Sequence, residues 1–149
     1  MQINCEKGFL LNDIKTIRED VKVFGTETSD YAITNSMETV KEFIKKSNPC
    51  KLDFPSNYFD YVIALGVVYT LTLTDAIIAL KEINRVSNGN SFITLATYDT
   101  DEEFFLFKDW TLLGSLLFKR KDWLEILKEA NYKGHYWFTD AKSLNLIRS

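Results

Sequence analysis

An α/β fold, with helices on both faces of a mostly parallel sheet, is what this chain of 149 residues predicts. Three observations carry that expectation. Short apolar, β-branched runs alternate with amphipathic helical stretches, which is the pattern of repeated βαβ units. The run Tyr61-Val62-Ile63-Ala64-Leu65 lacks polar alternation, as suits a strand covered on both faces. Glu27 follows the first tight turn, at Gly8, by about twenty residues, the spacing at which a βαβ unit presents a carboxylate to ribose hydroxyls.

Bulk properties narrow the class. The length suits one domain over residues 1–149, and a hydrophobic content of 46% is enough to fill its core. A formal charge of −3 gives no basic surface for nucleic acid. Cys5 and Cys50 form no CxxC and His135 is the single histidine, which argues against a metal site or a disulfide scaffold. Neither a leader nor a twenty-residue apolar span is present, so a soluble cytoplasmic protein without membrane contact is expected.

Taken in order, Met1 to Asn4 reads as a short strand, Gly8 as a tight turn, and Phe9, Leu10, Leu11, Ile14 and Ile17 as a helix of about ten residues. Val21 to Glu27 is the second strand. Ser29 or Asp30 caps a helix from Tyr31 to about Thr39. Val40 to Lys46 reads as the third strand, with continuation of the helix as the alternative. Ser47-Asn48-Pro49 is a turn. Pro55-Ser56-Asn57 leads into the fourth strand, because proline lacks an amide donor and belongs before a strand. Asp75 to Val86 is an amphipathic helix on which Glu82 and Arg85 can pair, followed by the turn Ser87-Asn88-Gly89-Asn90 and a fifth strand, Ser91 to Tyr98. The acids Asp99, Asp101, Glu102 and Glu103 suit the N-terminus of a helix. Phe104 to Leu117 is strongly apolar; core packing is its expected use, with a pocket wall or a dimer contact as alternatives. Lys121 to Ala130 is a further helix, with Trp123, Ile126 and Leu127 inward. His135 to Thr139 and Ser143 to Ile147 are expected as the sixth and seventh strands.

The stretch Leu52-Asp53-Phe54-Pro55 through Phe59-Asp60-Tyr61-Val62-Ile63 resembles the fourth-strand region of class I S-adenosylmethionine-dependent methyltransferases, which usually reads L-P-F-P-D-x-S-F-D-x-V. Gly25-Thr26-Glu27-Thr28-Ser29 is similar to the family's G-x-D-x-S, and Leu80 to Val86 to its L-x-E-x-x-R-V. At the first loop, where the family has D-x-G-C-G-x-G-F-L, this chain keeps Cys5, Gly8, Phe9 and Leu10. It departs at Gln2, Asn4 and Glu6, which stand for an acid and two glycines. The helix that family members carry before the first strand is absent from residues 1–149.

The resemblance implies a Rossmann-like α/β/α sandwich of seven strands, closed by an antiparallel terminal hairpin. It implies methyl transfer from S-adenosylmethionine to a small-molecule acceptor. The alternative is an inactive methyltransferase-like domain that binds a metabolite or a partner. Asn4, Cys5, Glu6, Gly8, Glu27, Thr28, Asn48, Leu65 and Gly66 are the implied cofactor-binding residues. No catalytic base is identified, and Tyr69 and Tyr98 are the candidates because both fall at the carboxyl edge of the sheet. A homodimer or a partner protein is the assembly left open. A nicotinamide-dependent dehydrogenase is disfavoured, since no G-x-G-x-x-G occurs and a terminal hairpin is foreign to that fold.

Overall fold

The computed structural model describes residues 1–146. Six strands, β1 (Gln2–Ile3), β2 (Gly25–Glu27), β3 (Ile44–Lys46), β4 (Val62–Ala64), β5 (Ser91–Ala96) and β6 (His135–Thr139), form one sheet in the order β3-β2-β1-β4-β5-β6. Every pairing is parallel. The helices are α1 (Phe9–Ile17), α2 (Asp30–Thr34), α3 (Leu73–Ser87), α4 (Asp101–Trp110) and α5 (Arg120–Glu129). With right-handed crossovers, α1 and α2 lie on one face and α3 and α5 on the other. Two core clusters match this division. One joins Ile3, Val62, Ile93 and Leu95 to Leu80 and Ile83 of α3 and Trp123 and Leu127 of α5. The other is Cys5, Leu11, Val40 and Ile44.

The end of the chain corrects the sequence expectation. His135 to Thr139 pairs with β5 in parallel over five residues, from Phe92↔His135 to Ala96↔Thr139, and no antiparallel strand follows it among the described residues. Residues 141–145 are turn, stitched by Asp140 and Ser143, whose amide and hydroxyl both bond back to Asp140. That local side-chain bonding offers the backbone an alternative to a ladder. Ile147, the last residue of the expected seventh strand, lies outside the described residues. An all-parallel sheet in this strand order is also the dinucleotide-binding arrangement. The hairpin therefore gives no ground against a dehydrogenase, and the missing glycine fingerprint has to carry that distinction.

Other boundaries move for local reasons. Helix α2 stops at Thr34, where the Asn35 side chain takes the Tyr31 carbonyl, instead of running to Thr39. The third strand keeps only Ile44–Lys46, because Lys41–Phe43 forms a 3-10 turn. Ser29 is the cap of α2, its Oγ accepting from the Ala32 amide at 3.2 Å. Thr100 and Glu103 close a capping box on α4, so Asp101, Glu102 and Glu103 sit at its N-terminus as their charge favours. The apolar stretch after them is core only in part: Phe107 is buried and Leu116 packs on the core, but Phe105, Trp110, Leu112 and Leu113 are exposed, Leu112 to 95%.

The motif before β4 has a structural use. Arg85 on α3 donates to the Leu52 and Phe54 carbonyls at 2.8 and 2.6 Å and forks onto Glu82 at 2.6 and 2.7 Å. Glu82 in turn accepts the Leu52 amide at 2.8 Å. The hydrogen-bonded Arg85 guanidinium holds the Glu82 carboxyl below its usual range. This clamp, with the ring cluster Phe24, Phe54, Tyr58 and Phe59, fixes the chain from the carboxyl edge of β3 to the start of β4.

Candidate active site

The carboxyl ends of β1, β2 and β3 converge on a cavity of about 390 Å³. That lies in the range of small-molecule sites, roughly 300–1,000 Å³. Asn4 after β1, Thr28 after β2 and Asn48, Pro49 and Cys50 after β3 form one side. Thr70 and Leu71 after β4, Asp75 in the first turn of α3, and Leu113 form the other. A crevice outside the strand ends, where the order turns from β1 to β4, is where open α/β sheets bind ligands.

The loop Asn4–Gly8 has a backbone made for close approach. Asn4, Glu6 and Gly8 all take left-handed conformations, with φ of 47°, 52° and 78°. Asparagine accepts this region with little strain; glutamate does so at a cost of roughly 1–2 kcal/mol. The loop is held by the Cys5 amide on Thr26 O (2.9 Å), the Gly8 amide on Cys5 O (2.9 Å) and the Glu6 amide on Glu27 Oε2 (2.8 Å). A Cβ on Gly8 would come within 2.8 Å of Val40 and 2.9 Å of Ile44, so glycine is required there by packing as well as by φ. The Glu6 side chain is exposed and outside the cavity lining, so its charge does not fill the crevice. Replacing it should relax the backbone. Glu6→Gly is expected to raise stability by about 0.5–1 kcal/mol, the relief being partly offset by the freer unfolded chain. Thermal unfolding should show a Tm about 2 °C higher, and an Asn4→Gly control should move it less.

Glu27 is 5% exposed and is the hub of the site. Its Oε1 accepts the Thr28 and Ser29 amides at 2.8 and 2.9 Å, and its Oε2 accepts the Glu6 amide. A carboxylate offers about four lone-pair positions, so Oε2 keeps capacity for a further donor. The Asn4 Oδ1 is buried with no hydrogen-bond partner among the described residues. Buried polar atoms are ordinarily satisfied, and a ligand with a donor in this crevice, whose wall includes Asn4, would satisfy it.

The residues singled out from the sequence separate into groups. Asn4, Thr28 and Asn48 line the cavity together; Glu27 is not in its wall and holds the Asn4–Gly8 loop through the Glu6 amide. Gly8 shapes the loop, and Cys5 turns into the core, where burial, with a smaller contribution from Glu27, pushes its thiol up to about 12. Leu65 is exposed and Gly66 bonds its amide to Thr94 Oγ1 at 2.8 Å; neither is in the cavity wall. Tyr69 lies beside a second, smaller cavity of about 130 Å³ walled by Phe104, Phe107, Leu116 and Phe118. Burial raises its hydroxyl above the ordinary tyrosine range, which makes it poorly suited as a base. Its carbonyl accepts the Ser115 and Leu116 amides, which ties this turn to the segment carrying Leu113. Tyr98 lines neither cavity and packs on Phe104 at 5.0 Å. Asp75, Cys50 and Leu113 were not legible as site residues. Asp75 reads as an ordinary acid in the first turn of a helix, and its position just after the β4 loop was the available signal.

Such a sheet, with a crevice at its strand ends, defines a doubly wound α/β domain. A model of the family described as "Methyltransferase domain" matches residues 1–95. The chain belongs to this family, the class I S-adenosylmethionine-dependent methyltransferases. Comparison with curated proteins gives no match. Similar folds include a chain from the complex of the Haloferax volcanii Trm112 methyltransferase activator with a protein described as a methyltransferase, at TM-score 0.67 and 17% identity over 87% of this chain and 58% of that one. The YcgJ protein of Bacillus subtilis matches at TM-score 0.65 and 13% identity, over 87% of this chain and 59% of that one. A Bacillus halodurans protein described as a methyltransferase matches at 0.64 and 14%, over 87% and 60%. The chain thus spans about three fifths of the length of these structures. Among the described residues, no helix is long and apolar enough to cross a membrane.

Proposed function

We propose that this chain binds S-adenosylmethionine in the 390 Å³ cavity and directs its methyl group to a small-molecule acceptor. The observation that carries the reading is an Asn4 oxygen in the cavity wall with no partner of its own, on a loop held through its Glu6 amide by a buried Glu27 that three backbone amides fix. Both offer acceptors to hydroxyl or amino donors. The side chains of the wall are neutral or acidic, which supports a ligand rich in donors.

When bound, the cofactor supplies an electrophilic sulfonium methyl. The protein's part is alignment and exclusion of water. In this reading Glu27 Oε2 takes a ribose hydroxyl, Asn4 and Asn48 offer amide groups to the polar edges of the ligand, and the turn Val68–Thr70 covers the crevice. Tyr69 donates a hydrogen bond toward the acceptor side and removes no proton. The acceptor's proton leaves to solvent, so no dedicated base is needed. Localisation in the cytoplasm is part of the same proposal. A partner protein or a second copy over Phe105, Trp110 and Leu112 is supported by their exposure and by the activator complex among the similar structures.

Calorimetric titration with S-adenosylmethionine and S-adenosylhomocysteine tests the reading. Dissociation constants on the order of 1–100 μM are expected; no heat at millimolar ligand from a folded chain would sink it. A second reading, a domain that binds the cofactor or a partner without turnover, is favoured by the strained Glu6 in the loop. Binding without methyl transfer to any of a panel of small acceptors would select it.

A further inference from the structure

We infer that Asp75 gives the cavity a charge preference, so that it holds the cationic methyl donor more tightly than the neutral thioether left after transfer. The inference rests on the proposed cofactor reading. Among the described residues, Asp75 is the one formally charged side chain in the cavity wall. Asn4, Thr28, Asn48 and Thr70 add neutral polar groups, and the buried Asn4 Oδ1 adds an acceptor of the same sign as the carboxylate. The other nearby acids count for less. The charge on Glu27 is met by three amides, Glu6 faces solvent, and Glu82, whose field also reaches Cys50 more weakly, is paired with Arg85.

Asp75 is positioned for this task by two contacts. The Thr72 hydroxyl donates to its Oδ2 at 2.9 Å, and the Cys50 thiol rests against its carbonyl at 3.5 Å. Its field reaches the cavity wall: burial pushes the Cys50 thiol up, and the Asp75 carboxylate pushes it further. The cavity volume is that of a sphere about 9 Å across, so a charge anywhere inside lies within about one Debye length of Asp75. When the methyl group departs, the electron pair of the methyl–sulfur bond stays on sulfur and its positive charge is lost. The acceptor's lone pair makes the new bond and its proton goes to solvent. Donor and product otherwise share every atom, so the ratio of their affinities isolates the charge term. A cavity with this bias releases its product instead of being blocked by it.

The test is titration of the wild-type chain and Asp75→Asn with S-adenosylmethionine and S-adenosylhomocysteine, at low and high salt. The preference for the donor is expected to fall about three- to tenfold in Asp75→Asn, with product affinity changed less than about twofold. In the wild-type chain the preference should shrink as salt rises. That series decides the matter even where the variant folds poorly. An identical, salt-independent ratio in both proteins overturns the inference and leaves the cofactor reading standing. Absence of binding by either ligand overturns both.

Discussion

Glu27→Ala is expected to lower the stability of the chain by about 2–3 kcal/mol and to abolish measurable cofactor binding. The carboxylate accepts the Glu6, Thr28 and Ser29 amides at 2.8, 2.8 and 2.9 Å. Leaving a buried donor without its partner costs about 1–3 kcal/mol, and water entering the crevice would restore part of that. The loss falls on the backbone that shapes the site. Without Oε2 to hold its amide, Glu6 has little reason to stay at a φ of 52°. Thermal unfolding should therefore show a Tm lower by roughly 5–10 °C, together with loss of the upward shift expected of the wild-type chain with S-adenosylhomocysteine. A variant as stable as wild type that keeps its ligand-induced shift would remove Glu27 from the account. Glu27→Gln is expected to fall in between, because its amide keeps one acceptor but turns an N–H towards a backbone N–H.

Arg85→Ala is expected to cost about 2–3 kcal/mol with no direct contact to the cavity. The guanidinium bonds Glu82, Leu52 and Phe54, and its removal leaves two carbonyls and a carboxylate short of donors. Arg85 and Glu82 side chains are 34% and 18% exposed, so solvent screening keeps the figure well below that of a fully buried pair. Arg85→Lys should recover less than half of the loss, since an ammonium cannot reproduce the fork. The pH dependence follows from Glu82, whose carboxyl is held low chiefly by Arg85. A depressed carboxyl contributes stability above its unfolded pKa and loses it as pH falls through the folded one. Denaturant titrations should show this acid-side loss in the wild-type chain and a weaker one in Arg85→Ala. Equal curves would contradict the clamp.

These two residues show what the sequence made legible and why. The segment before β4 and the Glu82–Arg85 pair were the most readable features, and both prove structural: the helix grips the backbone carbonyls of the motif. Rigid requirements of that kind leave a fixed pattern of residue types. Glu27 was legible through its spacing from Gly8, because a βαβ unit has a fixed length. Asp75 and Leu113 come to the cavity from elements distant in sequence, and no local pattern announces that meeting. The sixth strand was legible, but not its register, which depends on β5. The core expected over Phe104 to Leu117 is met only in part: Phe107 is buried and Leu116 packs on the core, while Leu112 is left in solvent. Apolar composition does not say which face is covered.

Cys50 offers the most direct measurement, because it is a half-buried thiol in the cavity wall, raised by burial and Asp75, while Cys5 is more deeply buried with its thiol pushed up to about 12. Alkylation by a maleimide, followed by mass spectrometry, should modify Cys50 and spare Cys5. Saturating S-adenosylhomocysteine is expected to slow that modification by at least about tenfold, since only the thiolate reacts and only when accessible. Binding seen by calorimetry with an unchanged Cys50 rate would place the ligand elsewhere on the chain and contradict the site described here.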